Sequence, residues 1–144
     1  MPASLLFACS ENSIRSPMAE ALAKRLYGQA AYIDSVGVRA SEVDSFAAAA
    51  LDELGIDVHR HHAKTFDDVD PSSFDLIVTL SPEAHHRALE FARNTATEVE
   101  YWPGPDATAV EGSRASRLQA YRQVRDLILG RLKERFGVPS GPTL

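Results

Sequence analysis

Four short apolar runs alternate with four stretches of helical periodicity, and this alternation constrains the fold of the chain more tightly than anything else in its sequence. Ser4 to Cys9 is the first run. After the polar stretch Ser10 to Ser16, residues Ala19, Leu22, Ala23 and Leu26 recur at i, i+3, i+4 and i+7. Pro17 suits a first helical position and Gly28 the residue just past the end. Ala30 to Val36 is the second run, ahead of a helix built on Ala47, Ala50, Leu51 and Leu54 and stopped by Gly55. Phe74 to Leu80 reads as a continuously buried strand, and Ser81-Pro82 opens a helix to about Asn94. Glu98 to Trp102 is the fourth strand. A loop rich in Pro and Gly follows from Pro103 to Gly112. The last helix carries Ala120, Tyr121, Val124, Leu127 and Ile128 on one face and ends at Gly137 and Pro139.

Parallel neighbours in a sheet need crossover connections, usually helical and right-handed. Four strand and helix pairs in alternation therefore predict a three-layer α/β fold, a doubly wound four-stranded parallel sheet with helices on both faces. The 144 residues suffice for one self-sufficient core, so a single domain over 1–144 is expected, with Ser140 to Leu144 as a frayed tail. An apolar fraction of 44% and a charged fraction of 24% are ordinary globular usage and argue against disordered or fibrous structure. A formal net charge of -5 gives nucleic acid no electrostatic reason to bind. No apolar stretch reaches the length of a membrane span, and Leu5 to Cys9 lacks the length and basic flank of a signal peptide. A cytoplasmic protein with no membrane partner is the expectation.

Doubly wound sheets bind ligands beyond the carboxyl ends of their strands, where strand order reverses, and the turn after the first strand is a common place for that point. The chain's single cysteine, Cys9, lies there. Alone it cannot form an internal disulfide, so it serves either packing or chemistry. The loop Cys9-Ser10-Glu11-Asn12-Ser13-Ile14-Arg15-Ser16 separates the cysteine from an arginine by five residues. A loop of this length between strand and helix can turn successive N–H groups inward, and the helix adds its own free amides and positive dipole end. That combination is an anion cradle, and it favours a thiolate at Cys9. Arg15 at the rim can hold two phosphate oxygens with its planar fork, Ser16 can donate to the sulfur, and Asn12 tolerates a left-handed backbone. The competing reading is a buried structural cysteine ending a strand. Placement between an apolar strand and a proline-started helix favours chemistry.

The same chemistry asks for a proton donor, because expelling an alkoxide or phenoxide from a phosphate ester is hard. Asp106 lies in the loop after the last strand and could protonate the leaving oxygen, then activate water against a phosphocysteine. By its local sequence alone it reads equally well as a turn aspartate after Pro105. His59, His61 and His62 read as polar surface, with His61 a candidate buttress of the cradle, and no metal or cofactor is expected. His85 and His86 are expected on a solvent-facing helix turn. Arg117, Arg122, Arg125, Arg131, Lys133 and Arg135 are expected on a solvated face of the last helix.

The run Phe7-Ala8-Cys9 through Arg15-Ser16-Pro17-Met18-Ala19-Glu20 resembles the signature of the low-molecular-weight protein-tyrosine phosphatases and the related thioredoxin-linked arsenate reductases. The likeness extends through Asp34-Ser35-Val36-Gly37, Gly55-Ile56-Asp57, His61-His62-Ala63-Lys64, Phe74-Asp75-Leu76-Ile77-Val78 and the loop Trp102 to Ala107. It implies that Cys9 is the nucleophile, Arg15 the phosphate clamp and Asp106 the general acid. Asn12, Ser16, Ser35 and His61 would hold the cradle in shape, with Ser10, Glu11, Ser13 and Ile14 completing the loop. The implied partners are a phosphorylated protein or small phosphomonoester, with phosphate or another oxyanion in the loop.

Four positions depart from the family pattern. Glu11 stands where glycine is usual, setting a carboxylate near the anion. Ile14 stands where a second cysteine is common, so no protective disulfide can form at Cys9. Ala107 and Thr108 replace the proline and aromatic residues that commonly follow the acid and stack on a phosphotyrosine ring. Phe46, Tyr101 and Trp102 are the remaining candidate walls, each also explained by packing. Besides phosphomonoester hydrolysis, two activities fit: a non-catalytic phosphate-binding regulatory module, and arsenate reduction completed by an external thiol.

Overall fold

The computed structural model describes residues 1–140 and 144, so part of the expected tail, residues 141–143, lies outside the described residues. The order of elements is β1 (Ser4–Cys9), α1 (Arg15–Tyr27), β2 (Tyr32–Gly37), α2 (Ser45–Asp52), β3 (Leu76–Thr79), α3 (Pro82–Phe91), β4 (Glu98–Tyr101) and α4 (Arg114–Phe136). All four strands are parallel, in the order β2-β1-β3-β4. The chain thus steps from β1 to one side and then crosses to the other, and the reversal falls at the carboxyl end of β1. Cys9 aligns there with Gly37 across the β1–β2 ladder.

The pleat divides the core into two layers. Leu5, Phe7 and Cys9 face α1, α2 and α4, sharing a cluster with Met18, Leu22, Leu51, Val124 and Ile128. Leu6 and Ala8 point the other way, toward Phe66, Phe74 and the Ala84 and Ala88 face of α3. Burial on both faces explains why β1 and β3 are continuous apolar runs rather than alternating ones. Trp102 follows β4 and sets its ring edge to Phe7 at 6.3 Å and 61°, sealing the layer beneath the first turn.

Expected boundaries shift slightly for local reasons. The first helix begins at Arg15, two residues before Pro17, which costs nothing because the early N–H groups of a helix are unpaired anyway. β3 is shorter than Phe74 to Leu80, because Pro71–Ser73 forms a 3-10 turn capped by Asp70 that delivers the chain to the sheet. Leu127, expected on the buried face of the last helix, is 43% exposed. Arg125, expected on its solvated face, is buried and donates to the Ala50 carbonyl at 2.8 Å and to Glu53 at 2.8 Å. Arg122 also grips Glu53, whose carboxyl drops to about 2 chiefly through the Arg122 hydrogen bond. These bonds tie α4 to the end of α2. Among the described residues no helix is long and apolar enough to cross a membrane.

Candidate active site

The segment 38–44 shapes the loop after β1. Val38 and Arg39 donate to the carbonyls of Cys9 and Ser10 at 3.1 and 2.8 Å, while Ser41 and Asp44 donate to those of Glu11 and Ser13, both at 2.9 Å. A trans peptide unit holds its C=O and N–H antiparallel. Tying down four carbonyls therefore turns the N–H groups of Ser10, Glu11, Asn12 and Ile14 to the opposite side. There they have no acceptor among the described residues. Asn12 closes the curl with a left-handed φ of 54°. Gly37 permits the close approach: a Cβ there would lie 2.2 Å from the Arg39 carbonyl oxygen and 2.6 Å from the Asn12 amide nitrogen. An anion in this curl meets converging amides and the amino end of α1.

A buried polar network fixes the loop from within. Asn12, Ser16 and Ser35 are fully buried. The Asn12 side-chain amide donates to the Ser16 and Ser35 hydroxyls at 2.8 and 2.9 Å. Its carbonyl accepts the Lys64 N–H at 3.1 Å and lies 3.1 Å from His61 Nε2. Ser35 passes its own proton to Glu20, which also pairs with Lys24 at 2.6 Å. Every buried side-chain donor and acceptor among the described residues has a partner, so removing one member strands the rest at a cost of about 1–3 kcal/mol. His61 Nδ1 stands 3.7 Å from Glu20. Burial pushes the histidine below its ordinary ionisation range, with Glu20 pulling the other way. Neutral His61 with its proton on Nε2 donates to Asn12 and holds that carboxamide in one orientation.

Cys9 is 5% exposed, and its sulfur lies 2.9 Å from the Ser16 hydroxyl oxygen. That hydroxyl has one proton and a second acceptor, the Val36 carbonyl, at 3.3 Å. Ser16 therefore has a single proton that either the sulfur or that carbonyl can accept. Arg15, the first residue of α1, donates to the Leu80 carbonyl at the end of β3, which braces its guanidinium at the rim. Ser10 donates to Ser81 at 3.0 Å. The Glu11 carboxylate accepts from Ser41 at 3.3 Å on the side of the segment 38–44. Ile14 immediately precedes α1, leans on the core, and accepts the Met18 N–H at 3.1 Å.

Asp106 lies close enough to Arg15 to be influenced by its charge. It is exposed and caps the Ala107–Ala109 turn, accepting the Thr108 N–H at 2.9 Å and the Thr108 hydroxyl at 2.6 Å. Those bonds hold its carboxyl below the usual range, Thr108's hydroxyl contributing most and Arg15 less.

Not every expectation holds at this end of the sheet. His85 does not face solvent: it is half-buried, bonds Thr79 at 2.9 Å and stacks on Tyr101 at 5.0 Å. The β4 edge needed this cover. Trp102 is buried against Phe7 and Phe136, so it is a core residue and not a wall of the mouth. Residues missed in the sequence include Glu20, Gly37, Asp44, Lys64 and Thr108. Glu20 had a readable signal, since it stands four residues after Ser16 on one helix face. Thr108 had another, in an Asp-x-Thr turn pattern. Lys64 and Asp44 carried none, because their contacts join distant segments.

A cysteine and an arginine thus bracket an amide-lined loop at the switch point of a parallel sheet. The model of the low molecular weight phosphotyrosine protein phosphatases matches residues 4–135. The chain belongs to that family, and is an enzyme of the superfamily it defines. An arsenate reductase of Bacillus subtilis is 31% identical over 130 residues, covering 90% of this chain and 92% of that one. An arsenate reductase of Halalkalibacterium halodurans is 33% identical over 129 residues, covering 90% and 91%. Among solved structures, a tyrosine phosphatase of Erwinia amylovora superposes with a TM-score of 0.78 at 19% identity, covering 98% of this chain and 95% of that one, a likeness of fold.

Proposed function

We propose that the protein is a phosphomonoester hydrolase, a protein-tyrosine phosphatase working in the cytoplasm through a cysteinyl-phosphate, with residues 1–144 as one catalytic domain. The observation that carries this reading is the cradle: Cys9 and its Ser16 partner at the base of a ring of unpaired amides, with Arg15 at the rim. The amides and the Arg15 fork hold the nonbridging phosphate oxygens, and the Cys9 sulfur attacks phosphorus in line with the ester oxygen. Asp106 gives its proton to that oxygen as the P–O bond breaks and the S–P bond forms. The resulting Asp106 carboxylate then takes a proton from water, which attacks phosphorus and returns the electron pair to sulfur, releasing phosphate and restoring the thiolate. Ser10, Glu11, Asn12, Ser13, Ile14 and Ser16 shape the loop, and Ser35 and His61 support it. Hydrolysis of p-nitrophenyl phosphate tests this. Cys9→Ser should abolish turnover, and Asp106→Asn should lower it about 10²- to 10⁴-fold; undiminished turnover in Cys9→Ser would defeat the proposal.

A second reading, arsenate reduction, is favoured by the names of the relatives above 30% identity and by Ser13 in the loop. Reducing arsenate to arsenite takes two electrons, supplied by two thiols that finish as a disulfide. Cys9 is the chain's one cysteine, so the second thiol must come from a small thiol or a redox protein. Arsenate-dependent NADPH consumption coupled to thioredoxin or glutaredoxin systems decides between the readings.

A further inference from the structure

The arginines of α4 divide into two groups. Those from Arg122 onward are mostly engaged: Arg122 and Arg125 with Glu53, and Arg135 with Glu100. Arg114 and Arg117, in the first turns, are exposed and make no ion pair among the described residues. Their position works against the helix, because cations near its start oppose the dipole, and no acidic residue occupies the first turn to compensate. Both guanidiniums lie over the Phe46 ring, Arg117 at 4.7 Å and Arg114 at 5.4 Å from its centroid.

Phe46 itself is fixed to the rim of the cradle. Its ring stacks on Tyr121 at 5.3 Å and 28°, and the Tyr121 hydroxyl donates to Asp44 at 3.2 Å. The Asp44 N–H in turn donates to the Ser13 carbonyl of the phosphate loop. Asp44 accepts from the N–H groups of Phe46 and Ala47 and from Tyr121, and among the described residues it makes no ion pair with either arginine. The Tyr121 phenol is raised to about 12 mainly by burial, with Asp44 and Asp106 adding to the rise and Arg117 opposing it. A chain of formal charge -5 therefore presents two guanidiniums that lack an ion-pair partner among the described residues, close to its anion cradle.

We propose that Arg114 and Arg117, held against Phe46 at the mouth of the cradle, form a docking subsite for acidic residues flanking the phosphorylated residue of a protein substrate. The phosphate's place in this arrangement rests on the phosphatase reading. An aspartate or glutamate side chain a few residues from the phosphorylated one would meet preorganised guanidiniums, since Phe46 restricts both, and bidentate pairing adds direction to the attraction. Such rim charges act through selectivity and association rate and weaken with salt.

The test compares two phosphotyrosine peptides, one flanked by Asp and Glu and the other by Ser and Ala, binding to Cys9→Ser protein by fluorescence anisotropy. The acidic peptide should bind about five- to twenty-fold more tightly at low ionic strength, the ratio falling toward one as salt rises. The double variant Arg114→Glu/Arg117→Glu should reverse the order, and its far-ultraviolet spectrum checks that it is folded. Equal affinities, no binding of either peptide, or an acidic preference that survives the double variant would overturn the inference. Wild-type hydrolysis of p-nitrophenyl phosphate separates the two ideas: turnover without acidic preference defeats the docking subsite alone, whereas acidic preference without turnover defeats the phosphatase reading alone.

Discussion

On the phosphatase reading, two side chains decide most of the chemistry at the residue scale, and neither acts alone. Ser16 can give its proton to sulfur or to the Val36 carbonyl, and the approach to sulfur is the shorter, 2.9 against 3.3 Å. Asp106 must carry a proton to act as acid, yet Thr108 donates to it twice and keeps it ionised in the free protein. The basic limb of kcat/KM should accordingly begin at low pH, because activity needs protonated Asp106 and is lost as pH rises through its ionisation. Thr108→Val removes the hydroxyl that contributes most to the lowering, so that limb should move to higher pH in aryl phosphate hydrolysis. A limb that stays in place would show that Asp106 is not the group titrating. The cysteine, the arginine and the Asn12 turn could all be read from residue types and spacing. The Asp106 role could not, since an aspartate after Pro105 also serves an ordinary turn and in the folded chain does cap one.

Between elements, the cradle is a seam joining the loop after β1 to the segment after β2. Gly37 is the point of closest approach, with room for hydrogen but not for Cβ. Gly37→Ala should push the segment 38–44 away from the phosphate loop and weaken competitive inhibition by inorganic phosphate about tenfold or more, measured beside a thermal melt. Unaltered phosphate inhibition would mean that the four carbonyl bonds do not set the amide directions. His61 links the next loop to the same seam, and its burial makes stability depend on pH. Its folded ionisation lies below the ordinary 6.5, so the unfolded chain binds the proton more readily. The histidine's contribution is complete above about 6.5 and is lost as pH falls below it. Urea melts from pH 7.5 to 5 should show a decline that His61→Gln reduces; an equal decline in both proteins would assign the effect elsewhere. These links escaped the sequence because periodicity describes one element at a time. The bonds that matter here span 23 residues from Asn12 to Ser35 and 52 from Asn12 to Lys64.

Across the whole molecule, strand order and the site are one fact. The alternation of apolar runs and helical periodicities was enough to predict parallel strands in three layers, and the reversal after β1 places the loop where two crossovers diverge. Surface assignments were less legible. A helical pattern separates inward from outward positions but does not show what covers the outward ones, and so His85 and Arg125 were misjudged as solvated. The charge balance also misleads when taken as a sum. An acidic chain holds Arg114 and Arg117 over Phe46, and on the docking proposal that local charge selects among anions.

Rapid quenching of aryl phosphate turnover, followed by mass analysis of the peptide that contains Cys9, tests the central claim most directly. Asp106→Asn slows hydrolysis of the intermediate, so this variant should accumulate one phosphate on Cys9 within the first turnover. Phosphate found on another residue, or turnover that proceeds with Cys9 unmodified, would contradict a cysteinyl-phosphate mechanism.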